Sequence, residues 1–259
     1  MSDQISARIA ESMSRLLGAD YDAEAIDSDA GGKAQRNRLN QRLVALEMRR
    51  QANIESVIAM AYAVTGNDEI QGPAPDVEDD WLARFVGQAQ EVGNPVMQTV
   101  WGEALAHQTA APGSFSLRTL DVLAGMTGED WGMWKRACRI CFPTGYLLKL
   151  GRRPDFEEFE LTRADIQRLQ TLELIHQTDD LSITFYAPTK GITFDYIGAN
   201  LVVRHPSSTL FTLPAYRTTG AAQEIFHHLG ADDADMEYLQ ALGDSLKAEG
   251  YDFRLRQAA

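Results

Sequence analysis

Cys138 and Cys141 are the only cysteines in the 259-residue chain, and they sit in a C-x-x-C spacing. That spacing serves two chemistries: half of a tetrahedral zinc site, or a dithiol redox centre. Zinc needs two further ligands, and no second C-x-x-C pair exists; His107 is the candidate third ligand. A redox pair belongs at a helix start that follows a strand. Here the pair falls within or at the end of a helix that carries Trp131 and Trp134. Free cysteine packs as a small hydrophobe, so core packing is the favoured reading and no cofactor is expected.

His227 and His228 are the one histidine pair, with Glu224, Asp232 and Asp233 nearby. Adjacent helical residues point about 100° apart, which makes them poor joint ligands; a helix C-terminus that favours imidazolium is the plainer expectation. Asp76, Glu78, Asp79 and Asp80 could bind a divalent cation, but the alternating oxygen ligands and central glycine of a calcium loop are missing. They precede Trp81 and Phe85, and acids in a first turn complement the helix dipole. No Gly-rich phosphate loop, nucleophile elbow or H-E-x-x-H occurs,. The sequence therefore leans away from an enzyme, with a metal-dependent or redox enzyme at Cys138 and Cys141 as the last alternative.

The most distinctive charge pattern lies between Lys33 and Arg50. Lys33, Arg36, Arg38, Arg42, Arg49 and Arg50 stand against Glu47 alone, about +5 locally in a chain of net charge -13. Such segregation can overcome the repulsion a polyanion meets on an acidic protein. Arg36, Arg38, Arg42, Arg49 and Arg50 are therefore candidate nucleic-acid contacts. Gln, Asn and Leu interleave them and no aromatic does, so a solvated face pairing with the acids at 68–80 or 22–29 is slightly preferred.

The elements that must position these residues follow from periodicity. Ile5, Ile9, Met13, Leu16 and Leu17 mark an amphipathic helix ended by Gly18, followed by an acidic linker to Gly32,. No proline or glycine interrupts Lys33 to Val64, which predicts one long helix, apolar nearly all round in its second half, which implies burial there,. Gly66, Gly72, Pro73 and Pro75 break it. Short helices follow, separated by Gly93-Asn94-Pro95, by Pro112-Gly113-Ser114 and by Thr127-Gly128-Glu129-Asp130, the pattern of a helical bundle,. Beyond Gly151 the character changes. A helix over 162–174 precedes strand-like runs at 181–186, 192–197, 201–204 and 210–213. Helices at 220–229 and 235–248 and a closing strand at 251–255 complete the chain,. A helix followed by strands suits a winged helix, although Arg163 and Arg168 are balanced by Asp165 and Glu173, so no basic recognition helix is visible.

The expected architecture is α+β and mainly α. It comprises an amphipathic helix and linker (1–32), a helical domain (33–150) and a winged-helix-like α/β domain (151–259). At 44% hydrophobic and 24% charged the composition is that of a globular protein,. The start is polar, and no stretch approaches the length of a membrane span. The protein is expected in the cytoplasm.

The segment from Asn94 to Phe142 resembles a bacterial family of domains of unknown function. It pairs a Gln-x-x-Trp-x-x-x-Leu-Ala helix (Gln98, Trp101, Leu105, Ala106) with a Pro-Gly-Ser-Phe-Ser-x-Arg-Thr-Leu turn and helix (Pro112, Gly113, Ser114, Phe115, Ser116, Arg118, Thr119, Leu120). Arg50, Asn53, Ile54, Trp81 and Phe85 fit upstream, and 161–175 and 216–220 agree more loosely. A more distant similarity is to the abortive-infection alpha proteins. The signature reads as structural: Trp101 and Leu105 anchor one helix face, Ser114 or Ser116 caps, and Arg118 bridges to a carboxylate such as Glu103. The resemblance implies no site residues. Together with the absence of catalytic motifs, it supports the expectation of a non-enzymatic interaction or regulatory protein, such as a sensor or accessory factor in bacterial stress or phage defence. A protein partner or a second copy is the expected partner, and a nucleic-acid-binding regulator is the first alternative.

Overall fold

The computed structural model describes residues 2–22, 26, 32–65, 76–151, 156–178, 182–186, 191–204, 210–230 and 233–257. Much of the acidic linker, the loop with Asp68 and Glu69, Leu181 and Asp232 lie outside them.

Helix α1 (Ser2–Leu17) precedes α2 (Lys33–Thr65), the long helix that the unbroken run predicts. Its 33 residues span about 50 Å,. Helices α3 (Asp79–Ala89), α4 (Pro95–Ala110), α5 (Leu117–Ala124) and α6 (Gly128–Arg139) complete the helical part. Their starts are written in the sequence. Asp79 and Asp80 occupy the first turn of α3. The Asn94 side chain accepts from Val96 N and Met97 N, and Pro95 opens α4,. Ser116 caps α5, and Thr127 and Asp130 form a capping box on α6,.

The second half of α2 packs on α4 along one face only: Asn53, Val57 and Ala61 are buried, while Ile58, Met60, Tyr62 and Val64 stay exposed, so the burial all round that its apolar character implied is not found. Gly102 makes the packing possible: a Cβ there would stand 2.5 Å from Met60 Cβ and 2.9 Å from Ala61 N. Around this seam Trp81, Phe85, Trp101, Phe115 and Trp134 form the aromatic heart of the core. Trp81 stacks on Phe85, with ring centroids 5.1 Å apart,.

The remaining elements are β1 (Tyr146–Leu148), α7 (Arg163–Thr171), β2 (Ser182–Tyr186), β3 (Ile192–Tyr196), β4 (Ala199–Arg204), β5 (Leu210–Arg217), α8 (Gly220–Leu229), α9 (Met236–Ala248) and β6 (Asp252–Gln257). They build two three-stranded antiparallel sheets, β1-β5-β2 and β3-β4-β6. The closing strand expected at 251–255 is β6, which pairs with β4. Strand β1 has no counterpart in the sequence reading, because three residues are too few to show alternation. The protein is thus mixed α+β with two small antiparallel sheets. Among the described residues, one cluster of buried apolar side chains runs from Val57 to Leu246, and Leu147, Ile166, Leu213, Ala222 and Leu239 all belong to it. No described helix is long and apolar enough to cross a membrane.

Candidate functional site

The turn after α4 is held from three directions. Gln108, buried, accepts from Phe115 N at 2.9 Å, and the Trp81 indole N–H donates to Phe115 O at 2.8 Å. Both polar atoms of the buried Phe115 backbone are thereby satisfied. From α8, the Glu224 carboxylate accepts from Ser116 N at 2.7 Å and from the Thr119 hydroxyl. A carboxylate at the first turn of α5 meets both the orphan N–H groups and the positive end of the dipole. Ser116 is the residue that caps, accepting from Thr119 N, while Ser114 donates to Ala111 O. Gly113 takes φ 97°, a left-handed turn that favours glycine,. Arg118 pairs with Glu173 after α7, in place of Glu103. On α4, Gln98 donates to Val92 O at 2.9 Å and reaches Asn53 Oδ1 at 3.4 Å, and Asn53 donates to Gln90 O. Trp101 and Leu120 are fully buried, Leu105 is half-buried, and Pro112 sits half-buried in the turn. Every polar bond named for the signature residues is spent on the fold.

The sulfur and histidine candidates are placed as follows. Cys138 and Cys141 are both at 0% exposure, and burial pushes the Cys141 thiol well up,. A thiol so held is a poor nucleophile and a poor ligand. His107 meets the ring of His228, centroids 5.5 Å apart, and His228 also meets Phe115 at 5.2 Å. Burial, then His107 and His227, lower the His228 pKa. Glu224 is committed to α5, and Asp233 pairs with Arg139 at 3.4 Å. Among the described residues no group of three or more His, Cys, Asp or Glu side chains could hold a metal ion.

A lock that sequence reasoning missed joins α6 to α7. Arg168 Nε and Nη2 donate to the two oxygens of Asp130 at 2.7 and 2.9 Å, a bidentate pair,. Asp130 is buried, also accepts from Thr127 N, and its pKa falls to about 2, chiefly through Arg168. The capping-box spacing pointed to Asp130 as a cap; nothing local pointed to Arg168.

The arginines of α2 divide into two groups. Arg49 and Arg50 pair with Glu91 of the α3–α4 turn, and Arg50 also pairs with Glu47. Their acid is therefore Glu91. Arg36, Arg38 and Arg42 lie on the first half of the helix and, with Tyr21, Ile26 and Leu39, line a surface depression of about 470 Å³. None of residues 33–48 is buried. Leu39 (43% exposed), Leu43 (49%), Val44 (64%) and Met48 (67%) leave large apolar surface uncovered there. Leu39, Leu43, Leu46, Arg50, Asn53 and Val57 advance by alternating steps of four and three, one face of a helix. The same face that is buried on α4 at Asn53, Val57 and Ala61 thus continues, about half exposed, toward the N-terminus. On α1, Ile5, Ile9, Met13 and Leu16 are exposed as well.

No curated protein and no solved structure matches the chain. A family model described as a protein of unknown function (DUF2806) matches residues 37–243, from the basic half of α2 to α9, and the chain belongs to that family.

Proposed function

We propose that this is a non-enzymatic interaction or regulatory protein, in which a tightly bonded body carries the first half of α2, with α1, as a docking arm. One observation carries the reading: the core-facing stripe of α2 runs on past the body into residues 33–48, where Leu39 and Leu43 are about half exposed. Contiguous exposed apolar surface on a helix marks an interaction site. The polar side chains of Gln98, Ser114, Ser116, Arg118 and Thr119 are bonded within the fold, so the signature offers little for a partner.

A finer reading of the body rests on its topology. β1, α7, β2 and β5 follow α6 in chain order, β5 lies between β1 and β2, and the β3–β4 hairpin falls between β2 and β5, where a wing belongs. We read this as a winged-helix-like unit used for protein contact, because Arg168 of α7 is tied to Asp130. A role in bacterial stress or phage defence rests on the resemblance of the α4–α5 signature alone.

Nucleic-acid binding is the second reading. Lys33, Arg36, Arg38 and Arg42, with no acid between residues 33 and 46, favour it,. It ranks below protein docking because no aromatic side chain interleaves these cations to stack on bases, and the exposed Leu39 and Leu43 lie among them,.

The test is affinity purification of the tagged chain from the cells that make it, with and without nuclease, beside the Leu39→Asp/Leu43→Asp variant. A nuclease-resistant protein retained by the wild type and lost by the variant is the expected outcome. Material lost on nuclease treatment, or a partner retained equally by the variant, contradicts it.

A further inference from the structure

Resting on the arm as the docking element, we infer that its occupant is an acidic amphipathic segment of a partner protein, an apolar anchor flanked by carboxylates. The surface there combines positive charge with an apolar lining. Tyr21, Ile26 and Leu39 give the depression beside α2 its apolar lining, and Gln35, Arg36, Arg38 and Arg42 its polar lining. Its volume of about 470 Å³ accepts a large side chain,. Between residues 33 and 46 there are four cations and no acid. Arg49 and Arg50, already paired with Glu91, contribute little further attraction.

Three other occupants fit this surface less well. A second copy docking arm to arm would set four cations against four, and like charges across an interface oppose association. Nucleic acid would satisfy the arginines but would leave Leu39 and Leu43 against a polyanion, with their apolar surface unrelieved. An anionic membrane surface would be met by α1, whose sequence sets Arg8 and Arg15 against Asp3 and Glu11, too few cations for strong attraction,. A segment carrying Asp or Glu on both sides of Leu or Phe answers both features at once. Its apolar side chain fills the depression, and its carboxylates take bidentate bonds from the exposed Arg36 and Arg42,.

The experiment selects random peptides displayed on phage against the full-length chain, in parallel with Arg36→Glu/Arg42→Glu and Leu39→Asp. Each of these side chains is solvent-exposed, so the fold tolerates the changes; circular dichroism verifies it. Wild type should enrich Leu or Phe flanked by Asp or Glu. The arginine variant should enrich Lys- or Arg-flanked sequences instead, a positive readout that a misfolded variant could not give. Leu39→Asp should weaken the wild-type peptides by about tenfold or more. Absence of enrichment, a consensus without acids, or one unchanged by the arginine reversal overturns the inference. So does an oligonucleotide or a phosphatidylserine vesicle that displaces the peptides more strongly than free acidic peptide does, or self-association of the chain that depends on Leu39. The two proposals separate in the cellular purification. A partner lost with Leu39→Asp but kept with Arg36→Glu/Arg42→Glu leaves the arm reading standing and removes the acidic partner; one kept with both removes both.

Discussion

Asp130 shows how one carboxylate can decide a junction. It closes the capping box of α6 and holds Arg168 of α7 with two bonds. Its folded pKa of about 2 lies below the ordinary aspartate value of 3.8. A depressed carboxylate stabilises the fold above its unfolded pKa, and that contribution is lost as pH falls through the folded value. About 2 kcal/mol should therefore disappear between about pH 4 and pH 2. Asp130→Asn should cost about 2–3 kcal/mol in urea denaturation at neutral pH and flatten the stability profile in that acid window. Glu224 is the counterpart at α5: Glu224→Ala leaves Ser116 N and the Thr119 hydroxyl without their acceptor and should cost about 1–3 kcal/mol,. The caps were legible residue by residue, since Thr127, Asp130 and Ser116 act on backbone three positions away. Arg168 and Glu224 were not, because their partners stand 38 and 108 residues distant and no local pattern names them.

At the scale of the element, α2 behaves as two helices in one. Its C-terminal half is clamped onto α4 through Gly102, where any side chain would collide with backbone. Gly102→Ala should therefore destabilise by about 1–3 kcal/mol despite alanine's better helix propensity. Its N-terminal half has no buried residue. Amides 34–48 should exchange with deuterium well before those around Asn53 to Ala61, since tertiary packing supplies most helical stability. Leu39→Asp/Leu43→Asp should leave the melting temperature nearly unchanged, because surface changes away from buried networks fall within about 0.5 kcal/mol. The unbroken run from Lys33 to Val64 made this helix plain in the sequence. Which half would be covered was not plain, since Leu39 and Val57 look alike along the same periodic face and only the position of α4 separates them. β1 was invisible for another reason: strand Tyr146–Leu148 exists because β5 offers it a partner.

Over the whole molecule, acidic charge and basic arm divide the labour. The chain carries a net -13, yet residues 33–46 hold only cations. Net negative charge repels polyanions, while the proposed arm would attract carboxylate-bearing partners over roughly a Debye length of about 8 Å at physiological ionic strength. Association through the arm should accordingly weaken as salt rises, and less steeply than a nucleic-acid complex would. Charge segregation was legible from composition along the chain. The apolar half of the arm's character needed the structure, because exposure is not a property of sequence.

Replacing Leu43 with a photo-crosslinking residue, with Gln167 on the exposed face of α7 as a control position, tests the central claim most directly when the chain is irradiated in the cells that make it. The account predicts a protein adduct from position 43 that survives nuclease and is absent from position 167. An adduct from both positions, a nuclease-sensitive adduct, or none from position 43 contradicts it.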